Sequence, residues 1–156
     1  MSYLLQKDGF RCVPVAIANL MIWSGDSTTF ANQKIDYSLV RGALSELCHC
    51  TRAGTDYSRI VYGIRQVVDV AYEYRADFSI SYVIKHLKNY GCVVMIYADG
   101  DATHISLVEK MNKNGSFRVI NDIRGRITNV SKKCFVRIIK ESSKKRLLGG
   151  FFVCRM

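Results

Sequence analysis

The chain carries near its start the segment Gln6-Lys7-Asp8-Gly9-Phe10-Arg11-Cys12-Val13-Pro14-Val15-Ala16-Ile17-Ala18-Asn19-Leu20-Met21-Ile22-Trp23. From Val13 onward the segment is almost entirely apolar, which predicts a buried helix near 12–24. Pro14 suits the first helical turn, where its missing N–H would have no intrahelical partner. Cys12 is therefore predicted at the amino-terminal end of a helix.

The predicted position of Cys12 favours an activated thiol. Backbone N–H groups and the macrodipole at a helix amino terminus stabilise the thiolate relative to the thiol. The same N–H groups can bind an oxyanion, and Gln6, on an extended approach to the helix, can add its side-chain amide. The segment thus predicts a nucleophilic cysteine with an oxyanion site beside it.

A thiol nucleophile also needs a general base and a group that orients the base. Alternating apolar residues after His104 predict a strand near 104–110, and a second strand is predicted near 116–121. A hairpin of these two strands brings His104 and Asp122 toward the same end of a sheet. We therefore expect His104 to be the base and Asp122 to orient it.

These residues, in this order, resemble a papain-like cysteine peptidase, and within that class the C39-like group that includes the double-glycine peptidases. In that group a glutamine precedes a Cys-Gly-Pro at a helix start, and this chain is similar, with Val13 in place of the glycine. The group commonly has Asp-Pro after the strand that follows the histidine, where this chain has Asn121-Asp122-Ile123. The resemblance therefore favours Asp122 as the orienting residue and leaves Asn121 as the alternative.

The resemblance extends over most of the chain. The stretch 54–64 resembles the opening of the group's second helix, and 80–91 resembles the helix before its first core strand. It implies an α+β, papain-like fold, in which a helical half packs on an antiparallel β-sheet with the active-site cleft between them. A single domain over 1–156 is expected.

The resemblance also implies a function. The expected activity is that of a cysteine peptidase or isopeptidase that hydrolyses a peptide or amide bond through Cys12, His104 and Asp122, with Gln6 in the oxyanion hole. Gly-Gly sequences are candidate cleavage sites in a protein or peptide substrate. Related thiol folds also carry out amide transfer, so transamidation stays open, and no cofactor is expected.

Hydrophobic patterns give a consistent order of elements along the chain. Helices are predicted near 12–24, 37–49, 56–70 and 79–90, and strands near 92–98, 104–110, 116–121, 126–130, 134–139 and 150–155. Helices followed by strands are typical of an α+β architecture with an antiparallel sheet. The strand at 134–139 is predicted because Phe135-Val136-Arg137-Ile138-Ile139 is rich in strand-forming residues.

Length and composition agree with a globular, intracellular protein. The 156 residues suit one domain with a substantial core. No apolar run approaches a transmembrane span and the start of the chain lacks a signal-peptide core, so a cytoplasmic location is expected, compatible with a phage or bacterial effector. The six cysteines are expected to be reduced: Cys12, Cys48, Cys50, Cys92, Cys134 and Cys154.

The motif Cys48-His49-Cys50 contains zinc-ligand side chains. Adjacent residues of a regular element point in different directions, and the sequence has no second pair at the usual spacing of structural zinc sites. We therefore predict a helix end with packed cysteines there and no metal site.

The formal net charge of +10 is unevenly distributed. Cations crowd the basic segment 132–146, which contains Lys132, Lys133, Arg137, Lys140, Lys144, Lys145 and Arg146 against the single acid Glu141. Such a surface could attract an acidic protein partner or nucleic acid, or could simply be solvated. The alternative function is therefore a catalytically idle papain-like binding module that uses this basic face.

A last motif is Arg146-Leu147-Leu148-Gly149-Gly150-Phe151. It resembles the Leu-x-Gly-Gly sequences that double-glycine and deubiquitinating cysteine peptidases cleave. The simpler interpretation is that Gly149 and Gly150 form the turn or bulge into the last strand.

Overall fold

The computed structural model describes residues 2–25, 34–52, 54–55, 57–67, 71–100 and 102–155. The chain divides into two compact units, Met1–Asp69 and Val70–Met156. Each unit is built from its own elements, and the expectation of a single domain stays a prediction.

The first unit is helical. Its elements are α1 (Cys12–Ser24), α2 (Tyr37–Leu39), a π-helical turn (Val40–Leu44), α3 (Ser45–Leu47) and α4 (Tyr57–Val67). The predicted helix near 37–49 therefore consists of α2, the π turn and α3 in direct succession. Of the predicted helix at 56–70, positions 56 and 68–70 lie outside the described residues.

Helix α1 is the most deeply buried helix of the first unit. Every residue from Val13 to Ile22 is buried, as expected for a helix that is apolar on all sides. The helix ends at Gly25, which has φ 69° and donates its N–H to the Met21 carbonyl at 3.0 Å. This left-handed conformation is the one that glycine adopts most readily after a helix.

The second unit contains a six-stranded sheet and two longer helices. Its elements are β1 (Tyr72–Arg75), α5 (Ile80–Asn89), β2 (Gly91–Asp99), β3 (Ala102–Met111), β4 (Phe117–Ile120), β5 (Thr128–Val130), α6 (Lys132–Lys144) and β6 (Gly149–Cys154). The strand order is β1-β6-β2-β3-β4-β5, and every neighbouring pair is antiparallel. The predicted α+β architecture with an antiparallel sheet is confirmed.

Helices α5 and α6 pack on one face of this sheet. Their inward side chains include Val83, Phe135 and Ile139, which join a core cluster with strand residues such as Met95 and Phe152. The rings of Phe117 and Phe135 stack with centroids 4.4 Å apart. The core of the second unit therefore forms between the helices and the central strands.

The strand predicted at 134–139 is wrong, because these residues lie in helix α6. Ser131 caps the helix by accepting a hydrogen bond from the Cys134 N–H at 3.2 Å. The buried residues Phe135, Ile139 and Ser142 recur at intervals of four and three, which is the period of a helix rather than of a strand. The cap and the core contacts outweigh the strand preference of the β-branched residues.

Strand β1 was not predicted, since its pattern spans only four residues. Tyr72 and Tyr74 alternate with the exposed Glu73 and Arg75. Both tyrosine rings lie against Phe151 of β6, with centroid distances of 5.9 and 4.9 Å.

Two further expectations can be compared with the described residues. All six cysteines, each of them described, are free. No helix in the described part of the chain is both long and apolar enough to cross a membrane.

Candidate active site

Cys12 is the first residue of α1 and is partly exposed. The Val15 N–H donates to the Arg11 carbonyl at 3.1 Å, which begins the helical ladder. Arg11 occupies the N-cap position without a side-chain capping bond, and Pro14 has no N–H. The amino-terminal end of α1 thus lacks the usual capping side chain, which suits the binding of an anion at this position.

The residues just before Cys12 are held by Asp8. Its Oδ1 accepts hydrogen bonds from the N–H groups of Phe10 and Arg11 at 3.1 and 3.0 Å. Its Oδ2 pairs with the Arg11 guanidinium, whose Nε donates to Ser45 Oγ at 3.3 Å. Burial raises the pKa of Asp8, but the hydrogen bonds from Phe10 and Arg11 together lower it, so the carboxylate is the stable form in this turn.

Gln6 lies between two attachments of the amino-terminal segment. Asn19 of α1 accepts from the Leu4 N–H at 2.7 Å and donates to the Leu4 carbonyl at 3.0 Å. The Lys7 N–H donates to the Tyr37 hydroxyl at 2.8 Å. Between them, Gln6 Nε2 donates to the Asp8 carbonyl at 2.8 Å, so its amide belongs to the turn that leads into Cys12.

Asn19 was missed by the sequence analysis. It is completely buried, and its two hydrogen bonds to Leu4 satisfy both the oxygen and the nitrogen of its amide. A single amide in an otherwise apolar helix was the available signal, because a buried polar side chain requires partners.

His104 begins the buried part of β3 and is only 4% exposed. Its Nε2 lies 2.8 Å from the main-chain carbonyl oxygen of Asn121. A carbonyl oxygen can only accept, so Nε2 carries the hydrogen. In the neutral ring Nδ1 is then the basic nitrogen, which is the tautomer that a general base needs.

Burial governs the ionisation of His104. Desolvation lowers its pKa from the ordinary 6.5, while the carbonyl of Asn121 and the charges of Asp122 and Asp99 act less strongly in the opposite direction. A lower pKa for an imidazole means that the neutral, basic form predominates at neutral pH.

A buried hydrogen-bond chain leads away from His104. Ser106 Oγ donates to the same Asn121 carbonyl at 2.8 Å, and the Tyr97 hydroxyl lies 2.9 Å from Ser106 Oγ. Because the Ser106 hydrogen is directed to Asn121, the Tyr97 hydroxyl is the donor of that pair. The Tyr97 ring also meets the His104 ring edge to face, with centroids 5.7 Å apart. Ser106 and Tyr97 were not predicted, since their roles depend on register: Tyr97 lies opposite His104 in the sheet.

Asp122 forms the turn after β4. Its Oδ1 accepts from the N–H groups of Arg124 and Arg126, each at 2.9 Å. The His104 hydrogen bond thus goes to the main chain of Asn121, one residue earlier. Asp122 acts on the imidazole through its charge, which favours the protonated ring. Its role as the orienting residue stays a prediction.

The predicted site residues divide between the two units. Gln6 and Cys12 lie in the first unit, and His104, Asn121 and Asp122 lie in the second. Within the second unit, His104 of β3 contacts the main chain of Asn121, the residue after β4. The hairpin was predicted to bring His104 toward Asp122, which is one residue later, and that pairing stays a prediction.

The Cys48-His49-Cys50 motif follows α3, and its thiols are used in packing and hydrogen bonding. Burial raises the pKa of Cys48 to about 12, so this thiol stays protonated. Cys50 Sγ donates to the Phe10 carbonyl at 3.3 Å. Among the residues that the structure describes, no group of three or more His, Cys, Asp or Glu side chains could hold a metal ion.

The fold is the papain-like fold of C39 peptidase domains. Among solved structures, the chain is similar to the peptidase domain of ComA from Streptococcus, a bifunctional ABC transporter involved in a quorum-sensing pathway. The TM-score is 0.61 at 19% identity, over 99% of this chain and 100% of that chain. The peptidase domain of Streptococcus mutans ComA is similar, with a TM-score of 0.61 at 15% identity over 98% and 99% of the two chains. At these identities the likeness shows the fold. No protein-family model matches the sequence, and no curated protein matches it.

Proposed function

We propose that this protein is a cysteine peptidase or isopeptidase that uses Cys12 as its nucleophile. The observation that carries the proposal is the position of Cys12 at the start of the buried helix α1, in a chain with the fold of peptidase domains. The tautomer of His104 supports it, because Nδ1 is left as the basic nitrogen.

In the proposed reaction, His104 Nδ1 takes the proton from the Cys12 thiol. The thiolate attacks the substrate carbonyl carbon, and the oxyanion that forms accepts hydrogen bonds from the Cys12 N–H and the Gln6 amide. His104 then gives its proton to the leaving amine. Water, deprotonated by His104, attacks the thioester, which releases the carboxylic acid and restores the thiol.

The imidazolium that forms in this cycle needs stabilisation. The Asn121 carbonyl accepts the Nε2 hydrogen at 2.8 Å, which keeps the ring in one orientation. The charge of Asp122 favours the protonated ring. We therefore assign Asp122 to the catalytic triad as an electrostatic partner and the Asn121 main chain as the group that orients His104.

For the substrate, we propose a class of peptides and no single sequence. Peptides with Gly-Gly before the scissile bond are the first class to screen, with transamidation to an added amine as a variant of the same chemistry. Cleavage after Gly150 of this chain is disfavoured, since Gly149 and Gly150 are buried inside β6. Gly149 pairs with Ile96 of β2 and Gly150 pairs with Met95. A peptidase could therefore reach them only after the strand had separated.

The test is the rate of alkylation at each cysteine as a function of pH, measured by peptide mass spectrometry. We expect rapid modification of Cys12 well below the pKa of a free thiol, and slower modification in His104→Ala. Cys134 and Cys154 are partly exposed internal references, and Cys48 and Cys92 are buried negative controls. Labelling of Cys12 at the rate of the references, unchanged in His104→Ala, would reject the proposal.

The second candidate is the catalytically idle binding module. The observation that favours it is that every cation of the basic segment 132–146 is exposed. Cys12→Ala should abolish a peptidase activity and leave binding intact. Charge reversal at Lys144, Lys145 and Arg146 should do the opposite.

A further inference from the structure

A groove runs along one side of α6 in the second unit. One wall is a stripe of α6 that begins at Val136 and ends at Lys144, and the other is the chain between Arg75 and Ile80. Its volume is about 820 Å³, far more than a single small anion occupies.

The floor of the groove is apolar and fixed. Phe78 and Ile139 are buried, and Ile80 and Val136 are half-buried beside them. The Phe78 ring packs edge to face on the Phe152 ring, with centroids 5.0 Å apart. A Cβ on Gly150 would lie 2.9 Å from Phe78 Cε1, so the ring has little room to move.

The rim of the groove is basic. Lys140 and Lys144 are one helical turn apart and exposed, and neither makes an ion pair within the described residues. Arg75 lies on the other wall, and its Nη1 is 3.4 Å from Glu73 Oε1. Asp77 is the one acid among the lining residues that the structure describes. The rim therefore favours a ligand with more than one negative charge.

The dimensions suit an extended peptide. Val136 and Lys144 are eight helical positions apart, about 12 Å at 1.5 Å per residue. An extended chain covers that length in about four residues at roughly 3.3 Å each.

We propose that this groove binds an acidic, partly apolar peptide segment of another protein. Its carboxylates contact Lys140, Lys144 and Arg75, and its apolar side chains contact Val136 and the Phe78 edge. Nucleic acid fits less well, because the single aromatic residue among the described lining residues, Phe78, is 8% exposed and offers no stacking surface for bases.

The test measures binding of a fluorescein-labelled Glu-Leu-Glu-Leu-Glu-Leu peptide by fluorescence anisotropy. The full chain is used as Cys12→Ala, so hydrolysis cannot contribute and the result is independent of the proposed peptidase activity. Lys140→Glu with Lys144→Glu should weaken binding at least tenfold. Lys132→Glu with Lys133→Glu is the matched control, because it changes the charge of the same helix equally at exposed positions outside the groove; it should weaken binding less than threefold.

A second probe tests the floor. Replacing the leucines of the peptide by serine keeps its charge and should weaken binding at least fivefold. Equal losses of binding in the two double-lysine variants, or no loss of binding with the serine peptide, would overturn the proposal. Either result would indicate only non-specific electrostatic attraction to the basic surface. Tighter binding of a single-stranded DNA of the same charge than of the peptide would also overturn the proposal, in favour of nucleic acid.

Discussion

The proton on His104 Nε2 is directed by a main-chain oxygen of Asn121, at 2.8 Å. The backbone of Asn121, which presents this carbonyl, is left-handed, with φ 63°. Asparagine adopts this conformation more readily than most residues with a side chain. The identity of residue 121 therefore matters for the histidine through backbone geometry.

Ser106 provides the first prediction at this scale. Ser106→Ala removes the Ser106 hydrogen bond that holds the Asn121 carbonyl in place for His104, and a hydrogen bond of this kind is worth about 1 kcal/mol. We expect kcat/KM on the best substrate to fall about fivefold, and NMR of ¹⁵N-labelled His104 to show less of the Nε2–H tautomer.

Tyr97→Phe is the companion variant for this prediction. It keeps the Ser106 bond to Asn121 and removes the bond from Tyr97 to Ser106, so its effect on the tautomer should be smaller. An unchanged His104 tautomer in Ser106→Ala, with activity and stability falling together, would mean that Ser106 has a purely structural role.

The second prediction concerns pH. Burial holds the pKa of His104 below 6.5 in the folded chain, whereas the unfolded chain titrates near its ordinary value. Between those two values the unfolded state binds more protons, so the free energy of unfolding falls as the pH drops through 6.5 toward the folded pKa. Urea unfolding of Cys12→Ala at a series of pH values should show this loss.

His104→Gln in the same background should lose less stability over that pH range, because its side chain does not titrate. NMR titration of Cys12→Ala gives the pKa of His104 directly. A value above 6.5 in that variant would contradict the dominance of burial.

Much of the candidate site could be predicted from residue order. An apolar run after Cys12-Val13-Pro14 and an alternating run after His104 are local patterns, and each indicates the end of an element. The Asn121 carbonyl could not be predicted as the partner of His104, since every residue has a carbonyl and only the register of β3 and β4 selects this one.

At the scale of elements, α6 shows where local preference misleads. Phe135, Val136 and Ile138 favour a strand in isolation. The helical signal is longer: it begins with the cap at Ser131 and continues to Lys144. Residues 134–139 taken alone show the strand preference, and both ends of the helix lie outside them.

The third prediction uses the packing of β6 on β1. A Cβ on Gly149 would lie 2.7 Å from the Tyr74 hydroxyl oxygen and 3.4 Å from the nearest ring carbons. Gly149→Ala should therefore lower the free energy of unfolding by about 1–3 kcal/mol, as overpacking does. Urea unfolding measures the change.

The control is a double-mutant cycle with Tyr74→Phe, which removes the oxygen that the new methyl group would meet. Gly149→Ala should cost less in the Tyr74→Phe background than in the wild type. Additive losses would show that the clash with the hydroxyl is not the cause.

For the whole molecule, the order of elements could be predicted better than their arrangement. Helices of the first unit and strands β2 to β4 follow patterns within single segments. The sheet order β1-β6-β2-β3-β4-β5 joins the last strand to the first and to β2, far away in sequence. Nothing local in a sequence specifies such pairings, so the antiparallel sheet could be predicted from the order of the elements and the resemblance, whereas its strand order could not.

The fourth prediction concerns the net charge of +10, which destabilises a compact state through self-repulsion. Raising the ionic strength from 0.01 to 0.15 M shortens the Debye length from about 30 to about 8 Å. If screening contributes about 1 kcal/mol, Tm should rise by about 2–4 °C, as measured by differential scanning calorimetry.

Lys132→Glu with Lys133→Glu lowers the net charge from +10 by four and should show a smaller rise. Sodium chloride and choline chloride should act alike, because screening depends on ionic strength. A rise with one salt alone would indicate specific ion binding instead.

The amide of Asn19 has a consequence for how this protein tolerates mutation. Its oxygen and its nitrogen both bond to Leu4 in a fully buried site. Aspartate could only accept, leucine could do neither, and glutamine is longer by a methylene. A saturation mutagenesis scan that scores each variant by its activity should therefore rank position 19 as intolerant of substitution, as it would rank a catalytic residue. Intolerance alone would then misassign Asn19 to the catalytic set, and the scan would need abundance measured beside activity to separate the two.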